Sequence, residues 1–254
     1  LLQKRLIGEI NLILAVTAKK VIKEFGTIRA LNELSFEIKT GEIYGLIGPN
    51  GAGKTTALRI ISTLLLPTSG IVEVFGLDVI KNATKIRKII TYLPEEAGAY
   101  RNLSGWEYLK FMAKFNTENS DEIKQVINEA AKISGLKKRL EDRAKTYSKG
   151  MKRRLLVARA LMTKPKLAIL DEPTSGLDVL QAYHIREIIK NYVRNNNVTV
   201  LLSSHNMLEV EYLCDRVALI DKGKIIIEGS PQNLKGEYGC ENLEEVFAKV
   251  VGHA

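Results

Sequence analysis

Residues Gly48-Pro49-Asn50-Gly51-Ala52-Gly53-Lys54-Thr55 decide the reading of this chain. They fill the pattern G-x-x-x-x-G-K-[ST] in full. A short apolar, β-branched run over 43–47 precedes them, and a helical stretch expected over 54–66, stopped by Pro67, follows. Glycines let the backbone turn so that successive N–H groups face one concavity, and the helix start adds the positive end of its dipole. In that setting Lys54 is expected to reach the β- and γ-phosphates of a nucleotide, and the Thr55 hydroxyl to coordinate Mg2+. Strand, loop and helix in this order make a chance glycine-rich turn a poor account.

A phosphate cradle does not say what is done with the nucleotide. The second half of the answer is Leu167-Ala168-Ile169-Leu170-Asp171-Glu172, a buried strand closed by two carboxylates. The C-terminal ends of such strands are where open α/β sheets place their ligands. Asp171 suits a hydrated Mg2+, and Glu172 suits a general base that activates water for in-line attack. Alone, two acids at a strand end need only be solvated. Beside the cradle, catalysis is the better reading.

Further short apolar runs at 71–75, 89–93 and 198–202 repeat the strand signal between helical patterns, which indicates a parallel α/β sheet. The runs 217–220 and 224–228 flank Asp221-Lys222-Gly223, the chemistry of a hairpin turn. From Glu95 to about Met162 the strand pattern stops. There Ser104 and Glu107 form a capping box, and Ile123, Val126, Ile127 and Ala130 share one helical face before Gly135. A helical subdomain is therefore expected between strands of the sheet. Leu243, Val246, Phe247 and Val250 form a stripe on a helical tail, expected to dock on its own domain.

The composition bounds the partners. Of 254 residues, 45% are hydrophobic and 26% charged, which excludes a disordered or fibrous chain. Lys and Arg number 38 against 29 Asp and Glu, a net charge of +9 that suits phosphates, nucleic acid or anionic lipid without choosing among them. The two cysteines, Cys214 and Cys240, form neither a zinc spacing nor a disulfide framework, and a reducing cytoplasm suits them. No run is as long as a membrane span. The apolar stretch at 6–16 is broken by Gly8, Glu9 and Asn11 and lacks a small-residue cleavage site, so no secretory signal is expected there.

With Tyr147-Ser148-Lys149-Gly150-Met151, these residues resemble the ATP-binding subunits of ABC transporters, of an exporter-like drug, lipid or ion branch. In that family a Leu-Ser-Gly-Gly-Gln segment opens a helix and meets the γ-phosphate of ATP on a facing subunit. Ser148 and Gly150 match it, while Tyr147, Lys149 and Met151 depart from its commonest form. Lys149, Lys152, Arg153 and Arg154 crowd this helix start, where cations oppose the dipole and an anion docking from outside would relieve them. The resemblance runs from about Ala18 to the tail. It implies a P-loop NTPase core of mostly parallel sheet, an N-terminal antiparallel β subdomain and the inserted helical subdomain. Its expected boundaries are 16–94 and 163–235 for the core, 95–162 for the helices and 236–254 for the tail, within one domain over 1–254.

The resemblance also assigns roles. It places Phe25 where an aromatic stacks on adenine, and Asn50, Gly51, Ala52 and Thr56 among the phosphate contacts. Ser148, Lys149, Gly150 and Asp178 fall at the interface of a head-to-tail, ATP-dependent dimer, Asp178 closing a Ser175-Gly176-Leu177-Asp178 loop. His205, after Ser203-Ser204, sits where a switch histidine orients the attacking water; His184 and His253 have no such context. One departure matters: Glu95 stands where the family usually has a Gln that approaches Mg2+ and the membrane partner. A carboxylate is the stronger ligand for a hard cation, yet it adds negative charge beside Asp171 and Glu172.

The resulting expectation is an ATPase at the cytoplasmic face of the cell membrane. It binds ATP and Mg2+, pairs with a second copy, and drives a separate integral-membrane permease. Its rival is an ABC-type ATPase acting on nucleic acid or the ribosome. Those relatives carry tandem cassettes or a long coiled-coil insertion, whereas this sequence has one cradle and a short middle, with no aromatic-rich basic surface. No nucleic-acid partner is expected. A small-molecule kinase would leave Ser148, Asp178 and His205 without a role.

Overall fold

A computed structural model describes residues 14–252, so most of the run at 6–16 and His253 lie outside the described residues. The chain opens with β1 (Leu14–Phe25), β2 (Ile28–Lys39), β3 (Ile43–Ile47), α1 (Lys54–Ile61), β4 (Ser69–Val74) and β5 (Leu77–Asp78). It continues through α2 (Ala83–Arg87), β6 (Ile90–Leu93), α3 (Gly105–Ala113), α4 (Ser120–Ser134), α5 (Lys149–Leu161) and β7 (Leu167–Asp171). Next come α6 (Val179–Asn196), β8 (Thr199–Ser204), α7 (Met207–Leu213), β9 (Arg216–Asp221) and β10 (Lys224–Gly229). The helices α8 (Pro231–Tyr238) and α9 (Leu243–Gly252) close the chain.

Two sheets result. One is antiparallel, in the order β2-β1-β4-β5. The other runs β10-β9-β3-β8-β7-β6 and is parallel except for β10, which pairs antiparallel with β9 at the edge. This is the expected α/β class with a mostly parallel core sheet and an N-terminal antiparallel sheet, except that the run at 71–75, read with the parallel strands, forms β4 and pairs antiparallel with β1, because an apolar run alone does not say which sheet it joins. The central strands are buried on both faces, which is why they read as unbroken apolar runs.

Their alternation still sorts two cores. Leu167, Ile169 and Leu201 pack with α1 and the antiparallel sheet. Ala168, Leu170, Val200 and Leu202 pack on the opposite side with α3 to α7 and the tail. The period of two along each strand thus builds two hydrophobic layers from one sheet.

Between β6 and β7 the regular elements are all helical. Ser104 and Glu107 form the capping box of α3, and Gly135 closes α4 in the left-handed conformation, φ 59°. The tail turns Leu243 and Val246 into the second layer, with Phe247 and Val250 packed against it. Among the described residues no helix is long and apolar enough to cross a membrane.

One helix is shorter than its sequence suggests. The stretch expected over 54–66 ends at Ile61, because Thr63 turns left-handed at φ 63° and the Leu64 and Leu65 amides both return to the Arg59 carbonyl. Leu64 and Leu66 then face solvent, so the apolar run that suggested continuation buries little of itself.

Candidate nucleotide site

The cradle leaves β3 and enters α1 with Gly53 at φ 108°, a conformation that side chains rarely adopt. A Cβ there would also lie 2.6 Å from the Ala30 carbonyl oxygen, so β2 presses directly against the loop. On the other flank, the Gly223 amide of the β9–β10 turn donates to the Ala52 carbonyl, and the Asn32 amide donates to Gly223. The loop is therefore braced by both sheets. No side chain caps α1, and its first turn holds no acid, so its first amides face the cavity without a capping group.

That cavity measures about 160 Å³ and is lined by Pro49, Asn50, Gly51, Gly53, Lys54, Thr55 and Thr56, with Ala30, Glu95 and Glu172. Lys54 is buried, and its Nζ donates to the carbonyls of Gly48 at 2.6 Å and Pro49 at 3.2 Å. The same nitrogen lies 3.6 Å from Glu172 Oε1. Held this way, the ammonium waits at the edge of the concavity, its charge shared between the loop and the acid.

Three hydroxyls gather on Asp171. Ser203 and Thr55 donate to its Oδ1, at 2.5 and 3.2 Å, and Tyr92 donates to Oδ2 at 3.1 Å. Burial and the Asp171 charge push the Tyr92 phenol up to about 12, so it stays a donor across the physiological range. Glu172 follows in the left-handed region, φ 48°, with its amide bonded to Ser203. A strand continued without that turn would send successive side chains to opposite faces. Here Asp171 meets Thr55 while Glu172 meets Lys54 and, at 2.8 Å from its Oε2, His205 Nδ1. Backbone strain of this kind persists where surrounding contacts over-determine it, as they do at this turn.

Among the described residues no cluster of three or more His, Cys, Asp or Glu is placed to hold a metal ion. The fit for Mg2+ is of another kind. Thr55 Oγ1 and Asp171 Oδ1 sit 3.2 Å apart. That spacing approaches the edge of an octahedron of oxygen ligands, about 2.9 Å for bonds of about 2.0–2.1 Å. Both donors are hard oxygens, and Mg2+ takes one or two protein ligands, water and phosphates. Glu95 reaches the cavity wall, but Ser175 Oγ donates to its Oε1 at 3.0 Å, so its carboxylate is tied to the loop after β7.

Phe25 ends β1, 48% exposed, with Lys23 Nζ 4.9 Å from the ring centroid. It pairs with Ile28, two residues before the Ala30 that walls the cavity. Ser148, Lys149, Gly150 and Asp178 do not line that cavity. Ser148 caps α5 by accepting from the Met151 amide, and Asp178 caps α6 by accepting from the Gln181 amide. A Cβ on Gly150 would lie 2.5 Å from Gln181 Oε1 and 2.7 Å from its Cγ, so the Gln181 side chain packs directly over Gly150 where the two helix starts meet. The exposed Lys149 reaches over Gly176. Beside these helix starts a cavity of about 290 Å³ opens on the other side of Glu172 and His205.

The basic crowd at the start of α5 is different from its sequence reading. Arg153 is 7% exposed and spends its donors on backbone carbonyls, and Arg154 Nε donates to the Ser134 carbonyl at 2.9 Å. Both guanidinium groups are thus held by carbonyl oxygens of this chain, and Lys149 and Lys152 are the cations closest to the helix start. Two buried residues that tie the loops of the site together gave no motif. Arg153 shares a stripe with Gly150, Val157 and Ala160, and an arginine on that stripe was the available signal. Glu209, buried in α7, accepts from Thr174 Oγ1 at 2.5 Å and Ser204 Oγ at 3.0 Å, joining the loops that follow Glu172 and precede His205.

Comparison with known proteins agrees with this geometry. A family model described as ABC transporter matches residues 31–175. The chain is 37% identical over 237 residues to the linearmycin resistance ATP-binding protein LnrL of Bacillus subtilis (strain 168), covering 93% of this chain and 76% of that protein. It is 39% identical over 213 residues to the bacitracin transport ATP-binding protein BcrA of Bacillus licheniformis, covering 84% of this chain and 69% of the other. Among solved structures, a dimeric ATP-binding cassette in a post-hydrolysis state with ADP and Pi superposes with a TM-score of 0.76 at 26% identity. That match covers 85% of this chain and 98% of the other.

Proposed function

This chain belongs to the ABC transporter family as an ATP-binding, ATP-hydrolysing subunit, and from that premise we propose that two copies close head to tail around two ATP molecules to drive a membrane permease. The observation that carries the reading is the placement of Glu172 between Lys54 and His205, at the mouth of a cradle whose own Ser148 segment lies outside it. Half of the phosphate shell is on this chain. The other half, on this reading, comes from the Ser148 segment of the facing copy.

The chemistry follows from the side chains. Lys54 leaves the Gly48 and Pro49 carbonyls for the β- and γ-phosphates, freeing Glu172 from its charge. Glu172 takes a proton from the attacking water while His205 holds that carboxylate and faces the terminal phosphate. Thr55 and Asp171 hold Mg2+, with Glu95 at the edge of the same cavity. When bound, that ion neutralises charge on the transferring phosphoryl group. Phe25 offers its ring to adenine, and Asn50, Gly51, Ala52, Gly53 and Thr56 complete the phosphate contacts around Gly48. Asp178 and Lys149 belong to the surface between copies. Val179, 85% exposed beside Asp178, and the exposed Leu180 and Leu208 give that surface apolar character.

The partner in the membrane would dock on the helical subdomain. There Tyr100, Phe111 and Phe115 form an exposed edge-to-face ladder with centroids 5.4 and 5.2 Å apart. Exposed aromatics in contact are poor solvent groups and good anchors for a partner helix. Export is the direction favoured by relatives named for linearmycin resistance and bacitracin transport, and the cytoplasmic face of the membrane is where ATP is available. Turnover per molecule measured across a dilution series tests the shared site. It should rise with protein concentration and level off once pairing is complete; a constant value with a single-copy mass in ATP would refute it.

A further inference from the structure

Arg153 lies on α5 one turn beyond Ser148, buried, with every guanidinium nitrogen engaged. Nη2 donates to the carbonyls of Asp171 and Glu172, each at 2.8 Å, and Nε donates to that of Pro173 at 2.7 Å. Nη1 donates to the carbonyls of Pro94 at 3.3 Å and Glu95 at 3.1 Å. One side chain thus touches three segments: the helix opened by Ser148, the loop holding Glu95, and the turn holding Glu172.

The three successive carbonyls are the telling feature. In an extended strand, neighbouring carbonyls point to opposite sides, so one guanidinium cannot collect 171, 172 and 173 together. It can here because Glu172 is left-handed, at φ 48°. The fork therefore stabilises the strained turn that aims the Glu172 carboxylate at Lys54 and His205.

We infer that Arg153 is a positioning residue for hydrolysis: its guanidinium locks the Glu172 turn and the Glu95 loop into one arrangement carried by α5. The inference rests on the reading of Glu172 as the base. Electrostatics point the same way. Burial pulls the Arg153 pKa down, while Glu95, Asp171, Glu209 and Glu172 pull it back, so this cation sits behind the acids of the site. The extra negative charge that Glu95 brings is met from the buried side. Lysine would not substitute, since a single ammonium lacks the planar fork that spans both loops. Because Arg153 and Ser148 share α5, a shift of that helix when the copies close would reach the base directly.

The test compares Arg153→Lys, Arg153→Met and Glu172→Gln with the parent chain. Melting temperature, binding of a fluorescent ATP analogue, and kcat and KM for MgATP are measured. The cradle makes no contact with Arg153, so both Arg153 variants should bind the analogue within about threefold of the parent with a similar KM. Their kcat should fall by about a hundredfold, the scale of a small misplacement of a catalytic group. Bound nucleotide with near-parental kcat would overturn the inference. So would loss of nucleotide binding together with turnover in both variants, because Arg153 would then be only a scaffold. Glu172→Gln separates the two readings. If it turns over normally, the base assignment fails and this inference with it. If it is silent while the Arg153 variants are active, the Arg153 role alone fails.

Discussion

His205 Nδ1 lies 2.8 Å from Glu172 Oε2, while the other oxygen of that carboxylate faces Lys54 Nζ at 3.6 Å. The acid at the end of β7 is thus held from two sides, by a cation that belongs to the phosphate cradle and by an imidazole from the end of β8. On the proposed reading, this contact sets the orientation of the base. Replacing His205 with Ala should lower kcat by about 10²–10⁴-fold, the usual contribution of a positioned acid–base partner. Affinity for an ATP analogue should hardly change, since the cradle is untouched. Single-turnover kinetics beside equilibrium binding would check both.

Phe25→Ala should act on binding instead of chemistry. Stacking on a base is worth about 1–3 kcal/mol, so KM for ATP should rise several-fold to a hundredfold while kcat stays near the parent value. A Phe25→Trp variant should restore the affinity. Steady-state kinetics on the three proteins decides it.

Gly150→Ala should act on the junction of the two helix starts instead of on global stability. Its new methyl would meet the Gln181 side chain at 2.5–2.7 Å, so that flexible side chain must turn aside. Alanine is the better helix former by about 1 kcal/mol, which offsets the cost of that shift. Chemical denaturation should therefore show little change. On the proposed reading, turnover should fall further than nucleotide binding, because the displaced Gln181 lies where the facing copy docks.

Glu209 gives a pH signature. Burial raises its pKa above the ordinary glutamate value, against the Thr174 and Ser204 hydrogen bonds and the Arg186 charge, which lower it. The folded state therefore keeps this proton to higher pH than the unfolded chain does. Stability should fall as pH rises from the ordinary glutamate range through the raised folded value. Glu209→Gln keeps an oxygen for both hydroxyls and removes the titration. Denaturant midpoints from pH 4 to pH 8, an interval chosen to bracket the glutamate range, should then lose that part of their slope.

Much of this was legible in the sequence because the relevant residues carry local signals. The cradle glycines, the apolar strand before Asp171 and Glu172, and the Asp221-Lys222-Gly223 turn each state their geometry in a few consecutive positions. The long β1–β2 hairpin was less legible. Its strands mix lysines, glutamates and apolar residues, and the antiparallel sheet came through the family resemblance instead of through that pattern. The end of α1 was misread because leucines at 64–66 continue an apolar run that the backbone abandons at Thr63. Arg153, read with the cations at the helix start, and Glu209, not read at all, were missed for another reason. A charged residue on a helix reads as solvated, and only tertiary contacts reveal that carbonyls or hydroxyls surround it.

The central claim is that the terminal phosphate is gripped by two copies at once. Glu172→Gln, incubated with ATP and Mg2+ and examined by light scattering after size exclusion, tests it most directly. The amide removes the base but leaves the cradle, Phe25 and the Ser148 segment intact. The account predicts a stable species of twice the single-copy mass that holds unhydrolysed ATP and dissociates when nucleotide is removed. A particle of single-copy mass with ATP bound at full occupancy would contradict it.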